Sequence, residues 1–372
     1  MKKCRRIILF YPAYEQGGAT KVLVNLVNFF LKKKIFVELL SLNAEYKNFK
    51  KSRYLNIANI SKNRQKKLGR NRIYYNFFSI TKLIKLLTQN NNKDTVLFSM
   101  QSHLISSIIG KIFFYKVIIR NSEDPFGATK YAENKFFSIL VFISKFISFN
   151  LANKIITNAT KSFNSIRFFL IKKSKVKIIL NPYIKENVPK FVLKKQVRKK
   201  YFLAIGRFAK QKNFEFLVEV FFEISKKLQN YKLILIGSGS EKNKIIRKID
   251  SLDLKKKIIV KNWSKNLSKD LRSSKIFILP SLYEGCPNIL IDAISNEIPC
   301  ISSACSGSDD VLRNNKAGLI YPVNDKEKLI KSVFRIIKNY KNFQRSAIKF
   351  SISRKRFYIN NQAEKYLKFL IN

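Results

Sequence analysis

The sequence predicts an α/β protein built as two doubly wound, parallel-sheet domains facing each other across a cleft. Three observations carry this expectation. Short apolar runs alternate with helix-period stretches in both halves, the pattern of parallel strands joined by helical crossovers. An aperiodic, basic, proline-containing stretch follows Asn181-Pro182 and separates the halves. In the second half, residues 281–292 read Ser-Leu-Tyr-Glu-Gly-Cys-Pro-Asn-Ile-Leu-Ile-Asp. They place an acid, a glycine and a proline between an apolar strand and a helix start, where open α/β sheets bind ligands.

Taken in order, residues 7–11 read as the first strand, and Gly17-Gly18 open a helix with apolar positions Val22, Leu26 and Phe29. Residues 36–42 form the next strand. Strands at 95–99 and 116–120 each close a helix-like stretch, and 155–157 and 176–180 finish a first domain of residues 1–184. Residues 185–200 read as a linker. The second domain, 201–352, begins with a strand at 201–208 and a helix at 214–228. A strand at 231–236 runs into Gly237-Ser238-Gly239, with a helix from Glu241. Further strands lie at 258–260, 276–279 and 299–302, with a helix at 289–296. Residues 325–372 are mostly helical, and 353–372 form a C-terminal helix expected to pack back toward the first domain. Strand–helix alternation of this kind makes both domains Rossmann-like.

Composition bounds the function. A chain of 372 residues, 46% of them hydrophobic, can bury two or three domain cores. The 74 basic against 23 acidic residues give a net charge of +51. Such a field attracts anionic partners: membrane surfaces, nucleic acid or phosphorylated substrates. The abundance of Lys, Asn, Ile and Phe accounts for part of it as composition alone. Cys4, Cys286, Cys300 and Cys305 show neither a C-x-x-C pair nor metal spacing, so no disulfide framework is expected and a reducing cytoplasm fits. His103 is the only histidine, which excludes a multi-histidine metal site. Asp309-Asp310 point in different directions, lack a third ligand and suit a helix N-terminus better than a metal. The basic start of the chain mimics a signal peptide, but its apolar part is too short and reads as a buried strand. No run of 18 apolar residues occurs, so a membrane span is not expected. The nearest candidate, 136–151, is interrupted by Lys145. With Phe113-Phe114, Phe77-Phe78 and their lysines it would form an apolar, basic membrane-facing surface, or else an ordinary core helix.

Several residues carry chemistry. Gly17 and Gly18 let a ligand approach the backbone while helix N–H groups point at its phosphate. Gly206-Arg207 and Lys212 sit on a strand-to-helix loop, where a guanidinium and an ammonium can jointly neutralise a diphosphate. Gly237 and Gly239 lack the rest of a dinucleotide fingerprint and by themselves mark a turn. Glu284, on the turn, and Asp292, inside the helix, can face one cleft and accept hydrogen bonds from sugar hydroxyls. In the first half, His103 is a candidate for orienting an acceptor hydroxyl, or a structural histidine. Asn121 and Glu123, in a polar loop after the next strand, are candidates for holding acceptor hydroxyls, or form a turn.

Five blocks together resemble the retaining glycosyltransferases of family 4, the group 1 transferases with the GT-B fold. They are Gly17-Gly18-Ala19-Thr20-Lys21, Gly206-Arg207 through Lys212-Asn213, Leu235-Ile236-Gly237-Ser238-Gly239, residues 280–288, and residues 318–322. The resemblance covers nearly the whole chain and is strongest over 202–321. It implies that Arg207 and Lys212 grip the donor diphosphate and that Glu284 holds hydroxyls of the transferred sugar. It implies also that amides around Gly285, Cys286, Pro287 and Asn288 meet the donor, that Gly206, Gly237 and Gly239 belong to the donor-binding loops, and that Gly17-Gly18 close over its diphosphate from the other domain. Asp292 stands where the family has a glutamate that binds the ribose. Ala19-Thr20 stand near a position often acidic in relatives. Asn121-Ser122-Glu123 occupy what looks like the loop that carries a histidine in many members.

The activity the resemblance implies is retaining transfer of a sugar from a nucleotide donor, a UDP-hexose or UDP-N-acetylhexosamine, to a glycan acceptor. The nucleotide-sugar is a substrate, and neither a cofactor nor a metal is expected. Charge and the apolar segments point to a lipid-linked acceptor at the inner face of a membrane, in polysaccharide, lipopolysaccharide or glycoprotein assembly. Partners are the donor, the acceptor and an anionic membrane surface, with no nucleic acid. The alternatives are a nucleotide-sugar epimerase of the same architecture and a non-enzymatic protein that binds anionic membrane or nucleic acid.

Overall fold

The computed structural model describes residues 6–15, 17–60, 72–132, 134–172, 175–186, 198–263, 266–313 and 318–372. Cys4 and residues 187–197 of the expected linker lie outside them. The chain divides into two compact units, one of residues 1–186 with 356–372 and one of residues 187–355.

The first unit is built on a parallel sheet. Its described strands are β1 (Arg6–Phe10), β2 (Phe36–Leu40), β3 (Leu55–Ala58), β4 (Thr95–Ser99), β5 (Lys116–Asn121), β6 (Lys154–Thr157) and β7 (Val176–Ile178). Their order is β3-β2-β1-β4-β5-β6-β7, and every pair is parallel. The central strands are near-continuous apolar runs because helices cover both sheet faces; Ile7 through Phe10 are fully buried. The chain lays β2 and β3 on one side of β1 and then crosses to put β4 on the other. The loops after β1 and β4 therefore leave the sheet at the point where strand order reverses. β3 escapes the sequence reading: Leu55-Asn56-Ile57-Ala58 alternates over only four residues.

The C-terminal helix Ile359–Ile371 belongs to this unit and packs against the helix Gly18–Lys32. Its docking is specific. Tyr183 and Ile184 donate their backbone N–H groups to Phe357 O at 3.0 and 2.9 Å, and Ile359 N–H returns to Ile184 O at 2.9 Å. Arg120, buried at the end of β5, donates from Nε to Tyr366 Oη at 3.0 Å and from Nη2 to Asn181 Oδ1 at 2.7 Å.

The second unit repeats the plan with β8 (Tyr201–Ile205), β9 (Lys232–Ile236), β10 (Ile258–Lys261), β11 (Ile276–Leu279), β12 (Cys300–Ser303) and β13 (Gly318–Tyr321). The order is β10-β9-β8-β11-β12-β13, all parallel. Order reverses between β8 and β11, which pair through Phe202 with Ile276 and Leu203 with Phe277. Phe202 is fully buried and stacks on Tyr231 at 5.0 Å between ring centroids. β13 is unforeseen as a strand because Gly318-Leu319-Ile320-Tyr321 is too short to show a period. Gly318 is needed there: a Cβ would stand 2.3 Å from Cys300 O on the neighbouring strand. Asp309 and Asp310 occupy the first turn of the helix Ser308–Leu312, the helix-start role expected of them.

Arg198, at the end of the expected linker, is anchored to the second unit. Its guanidinium donates to Arg272 O and Ser274 O at 3.2 Å and to Asn296 O and Glu297 O at 3.1 Å. These carbonyls stand at the C-terminal ends of the helices Leu267–Ser273 and Asn288–Ser295. Helix ends leave such acceptors unpaired and carry negative dipole charge, so a planar cation with several donors serves both at once.

Candidate functional site

The site in the second unit follows from its topology. β8 and β11 are neighbours, so the loops that leave their C-terminal ends run side by side. Gly206 and Arg207 leave β8, then a short 3-10 turn, Lys210–Lys212, leads through Asn213 into the helix Phe214–Lys227. Asn213 adopts a left-handed conformation at φ 56°, which asparagine tolerates better than most residues. The β11 loop carries Ser281 to Pro287 into the helix Asn288–Ser295.

Hydrogen bonds zip the two loops together. Leu282 N–H donates to Gln211 O at 2.8 Å, and Gln211 Nε2 donates to Tyr283 O at 2.9 Å. The Lys212 ammonium consequently meets the Glu284 carboxylate at Oε1, which also accepts from Ser281 Oγ at 2.8 Å. Both side chains of the pair are mostly covered, 16% and 12% exposed. Gly206 makes room for this, because a Cβ there would stand 3.3 Å from Lys212 Cδ and Cε. Burial, and then the nearby Glu284 carboxylate, push the Cys305 thiol up to about 11. Cys286, Cys300 and Cys305 are buried thiols that form no disulfide.

The glycines of this unit divide by cause. A Cβ on Gly237, at φ 159°, would lie 1.9 Å from Gly206 O, and one on Gly239, at φ 155°, would lie 2.2 Å from Phe208 O. Both are demanded by backbone packing of the β9 loop on the β8 loop. Gly307 is likewise demanded, since its Cβ would lie 2.2 Å from Gly285 O and 2.5 Å from Cys286 Cα. That contact props the Gly285–Cys286–Pro287 turn from beneath, and Gly285, Cys286 and Pro287 are buried. Asn288 begins the helix, with its positive dipole end at the loop. Asp292 lies half-buried one turn further on. Arg207 is exposed beside this cluster in sequence. The structure thus brings Gly206, Lys212, Glu284 and the turn at Gly285 together.

The first unit has a corresponding set of loops. Gly17 precedes the helix that starts at Gly18, after β1. No atom lies within 4 Å of where a Gly17 Cβ would stand, so packing does not demand a glycine there. His103 starts the helix His103–Ile112 after β4, following Ser102 in a left-handed conformation at φ 52°. Its Nδ1 pairs with Ser99 Oγ at 2.9 Å, and the ring hydrogen-bonds the Arg120 backbone. Burial, with the Lys145 charge next, pushes the imidazole down to about 3, so it is neutral at physiological pH. Asn121 ends β5, buried, and donates from Nδ2 to Glu123 O at 2.5 Å. Glu123 Oε1 pairs with Lys145 Nζ at 2.5 Å. His103, Glu123 and Lys145 therefore form one electrostatic group. Asp124 caps the next helix, accepting from Gly127 N–H at 2.9 Å.

Sequence reasoning missed Ser281, Gln211, Gly307 and the partnership of Lys145. For Lys145 a signal existed: it is the lone charge after Lys135 in an otherwise uncharged helix, Lys135–Leu151. Gln211 and Ser281 carry no comparable mark. Among the described residues no group of three or more His, Cys, Asp or Glu is placed to hold a metal.

Comparison with known proteins bears on both units. Residues 186–354 match the family model for group 1 glycosyl transferases. An uncharacterised glycosyltransferase of Methanocaldococcus jannaschii is 32% identical over 192 residues, 49% of this chain and 47% of that protein. The match spans about half of that relative. A Campylobacter jejuni protein is 23% identical over 264 residues, 69% of this chain and 70% of its own. It is the N-acetylgalactosamine-N,N'-diacetylbacillosaminyl-diphospho-undecaprenol 4-alpha-N-acetylgalactosaminyltransferase. Among solved structures, Anabaena HepE in complex with UDP-glucose superposes with a TM-score of 0.75. The two share 12% identity over 98% of this chain and 99% of that one, a likeness of fold. These matches do not favour the epimerase or the non-enzymatic alternative. The architecture of two Rossmann-like parallel-sheet units is that of the GT-B fold, and the family match together with the relatives supports a glycosyltransferase.

Proposed function

We propose that the protein transfers a sugar from a nucleotide donor, a UDP-hexose or UDP-N-acetylhexosamine, to a lipid-linked glycan, with retention at the anomeric carbon. The observation that carries this is the covered Lys212–Glu284 pair at the β8/β11 reversal point. A cation and a carboxylate held side by side match a donor that presents phosphate next to sugar hydroxyls. The two groups neutralise each other where the loops meet. With donor bound, Lys212 turns to the diphosphate and Glu284 accepts from hydroxyls. Arg207 adds a second cation.

In the reaction the acceptor oxygen bonds to the anomeric carbon on the face from which the diphosphate leaves. The carbon–oxygen bond to phosphate breaks, its electron pair stays on the β-phosphate oxygen, and the acceptor proton passes to that oxygen. Lys212 and Arg207 stabilise the charge that develops there. No role for a metal or a cofactor is proposed. Asp292 contacts the ribose. The neutral His103 and the Glu123–Lys145 pair of the first unit orient the acceptor. The lipid-linked acceptor is supported by the Campylobacter relative, whose name specifies a diphospho-undecaprenol substrate.

The test is incubation of the purified chain with a panel of UDP-sugars and a bacterial membrane extract. Transfer, or slow donor hydrolysis without acceptor, is expected for at least one sugar. Absence of both, with Lys212→Ala indistinguishable from wild type, contradicts the reading.

A further inference from the structure

The helix Lys135–Leu151 is built inside out. From Phe136 to Ile147 eight large apolar side chains are exposed, by 37–65%. They recur at helical spacing, so they form a continuous stripe. The opposite face, turned to the protein, carries Ser138, Lys145 and Ser148 beside one buried aromatic, Phe149. Ser138 Oγ donates to Thr129 O at 2.9 Å, Ser148 is buried with its carbonyl facing Ser107 Oγ at 3.3 Å, and Lys145 reaches inward to Glu123. A helix facing water has the reverse arrangement. The apolar area continues on the neighbouring helix His103–Ile112 through Ile108 and Ile112, and onto Phe114, 84% exposed.

Cations stand at both ends of the stripe, and the helix itself has no acid. Lys130 and Lys135 flank its start, both exposed. At its end Lys175 Nζ donates to Asn150 O at 2.8 Å and Ala152 O at 2.9 Å. Burial, and then the charges of Lys172 and Lys111, push the Lys175 ammonium down, which puts three cations together there. A second copy of this chain would bring these cations against their own kind. An anionic surface complements them. The helix has 17 residues, about 25 Å at ~1.5 Å per residue. That is short of the ~30 Å hydrocarbon layer, and no described helix is long and apolar enough to cross a membrane.

We propose that this face, the stripe of Lys135–Leu151 with its lysine rim, lies in the interface of an anionic lipid bilayer. The proposal rests on the reading of a membrane-linked acceptor and names the surface that meets the lipid. The same helix holds Lys145 against Glu123, and the helix beside it begins at His103. Seating the stripe in lipid headgroups would therefore fix the proposed acceptor loops at the membrane.

Vesicle flotation of the full chain tests this, with phosphatidylcholine alone and with phosphatidylcholine containing phosphatidylglycerol. Wild type is expected on the anionic vesicles, at least about tenfold more than on neutral ones. The triple variant Phe136→Ser, Ile139→Ser, Ile143→Ser alters exposed side chains only; with its melting temperature unchanged, it should lose about tenfold or more of that binding. Lys130→Glu with Lys135→Glu should lose about fivefold. Equal binding by the triple variant would overturn the proposal, leaving only the overall charge at work. So would a wild-type dimer in sedimentation that the triple variant abolishes, since the face would then join two copies. Donor hydrolysis in lipid-free solution separates this from the catalytic reading. The triple variant should hydrolyse UDP-sugar like wild type, whereas Lys212→Ala should lose hydrolysis and keep vesicle binding.

Discussion

The two reversal points of the molecule share a topology and differ in electrostatics. In the second unit, loops from adjacent strands are zipped by Leu282, Gln211 and Tyr283 and hold opposite charges in contact, Lys212 on Glu284. In the first unit the corresponding loops present Gly17, where packing does not demand a glycine, and a histidine kept neutral by burial. Its ion pair, Glu123 with Lys145, reaches onto a helix whose outer face is apolar. The difference suits two ligands of different chemistry. A charged diphosphate needs fixed counter-charge, while a hydroxyl nucleophile needs orientation.

Four changes break or sharpen this contrast. The largest effect is expected from Lys212→Ala, which removes the covered cation and should lower donor turnover by ~10²–10³-fold with little change in melting temperature. Steady-state hydrolysis of the preferred UDP-sugar measures it. Next comes Arg198→Met, which leaves four helix-end carbonyls without their donor. It should cost about 3 kcal/mol of stability in the second unit, read by denaturant unfolding.

His103→Gln addresses the first unit through pH. The folded imidazole titrates at about 3, below its ordinary value of 6.5. The unfolded chain therefore binds the extra proton between those values. Stability from this group is full above pH 6.5 and falls as pH drops toward 3. From pH 7 to pH 5 the wild type should lose up to about 2 kcal/mol more than the variant. Equal pH slopes would mean that the histidine is solvated. The smallest effect is expected from Gly17→Ala. A Cβ there meets nothing within 4 Å, so stability should hold. Turnover should fall about fivefold if a ligand approaches that backbone. A drop in melting temperature instead would assign the glycine to the fold.

The second unit was the more legible in sequence because its motifs are local. Gly206, Arg207 and Lys212 lie on one loop and Glu284 to Asn288 on another, and strand–helix alternation sets both at strand ends. What the sequence could not show was why each glycine is there. Gly237 and Gly239 mark a turn in sequence, and only the structure shows that a Cβ on either would meet the carbonyl of Gly206 or Phe208. The short strands β3 and β13 were invisible because four residues do not establish a period. The long-range partners were invisible too. Arg198 binds carbonyls up to 99 residues away, and Lys145 meets Glu123 only because its helix lies beside the loop after β5. The apolar run from 136 was visible as composition, but which of its faces is turned outward depends on tertiary packing.

Calorimetric titration with UDP and with uridine, on wild type and Lys212→Ala, tests the central claim most directly. If Lys212 leaves Glu284 for the diphosphate, UDP should bind wild type and lose about 30-fold or more in affinity in the variant. Uridine should bind both proteins alike. Equal UDP affinity in the two proteins would contradict the assignment of this pair to the donor.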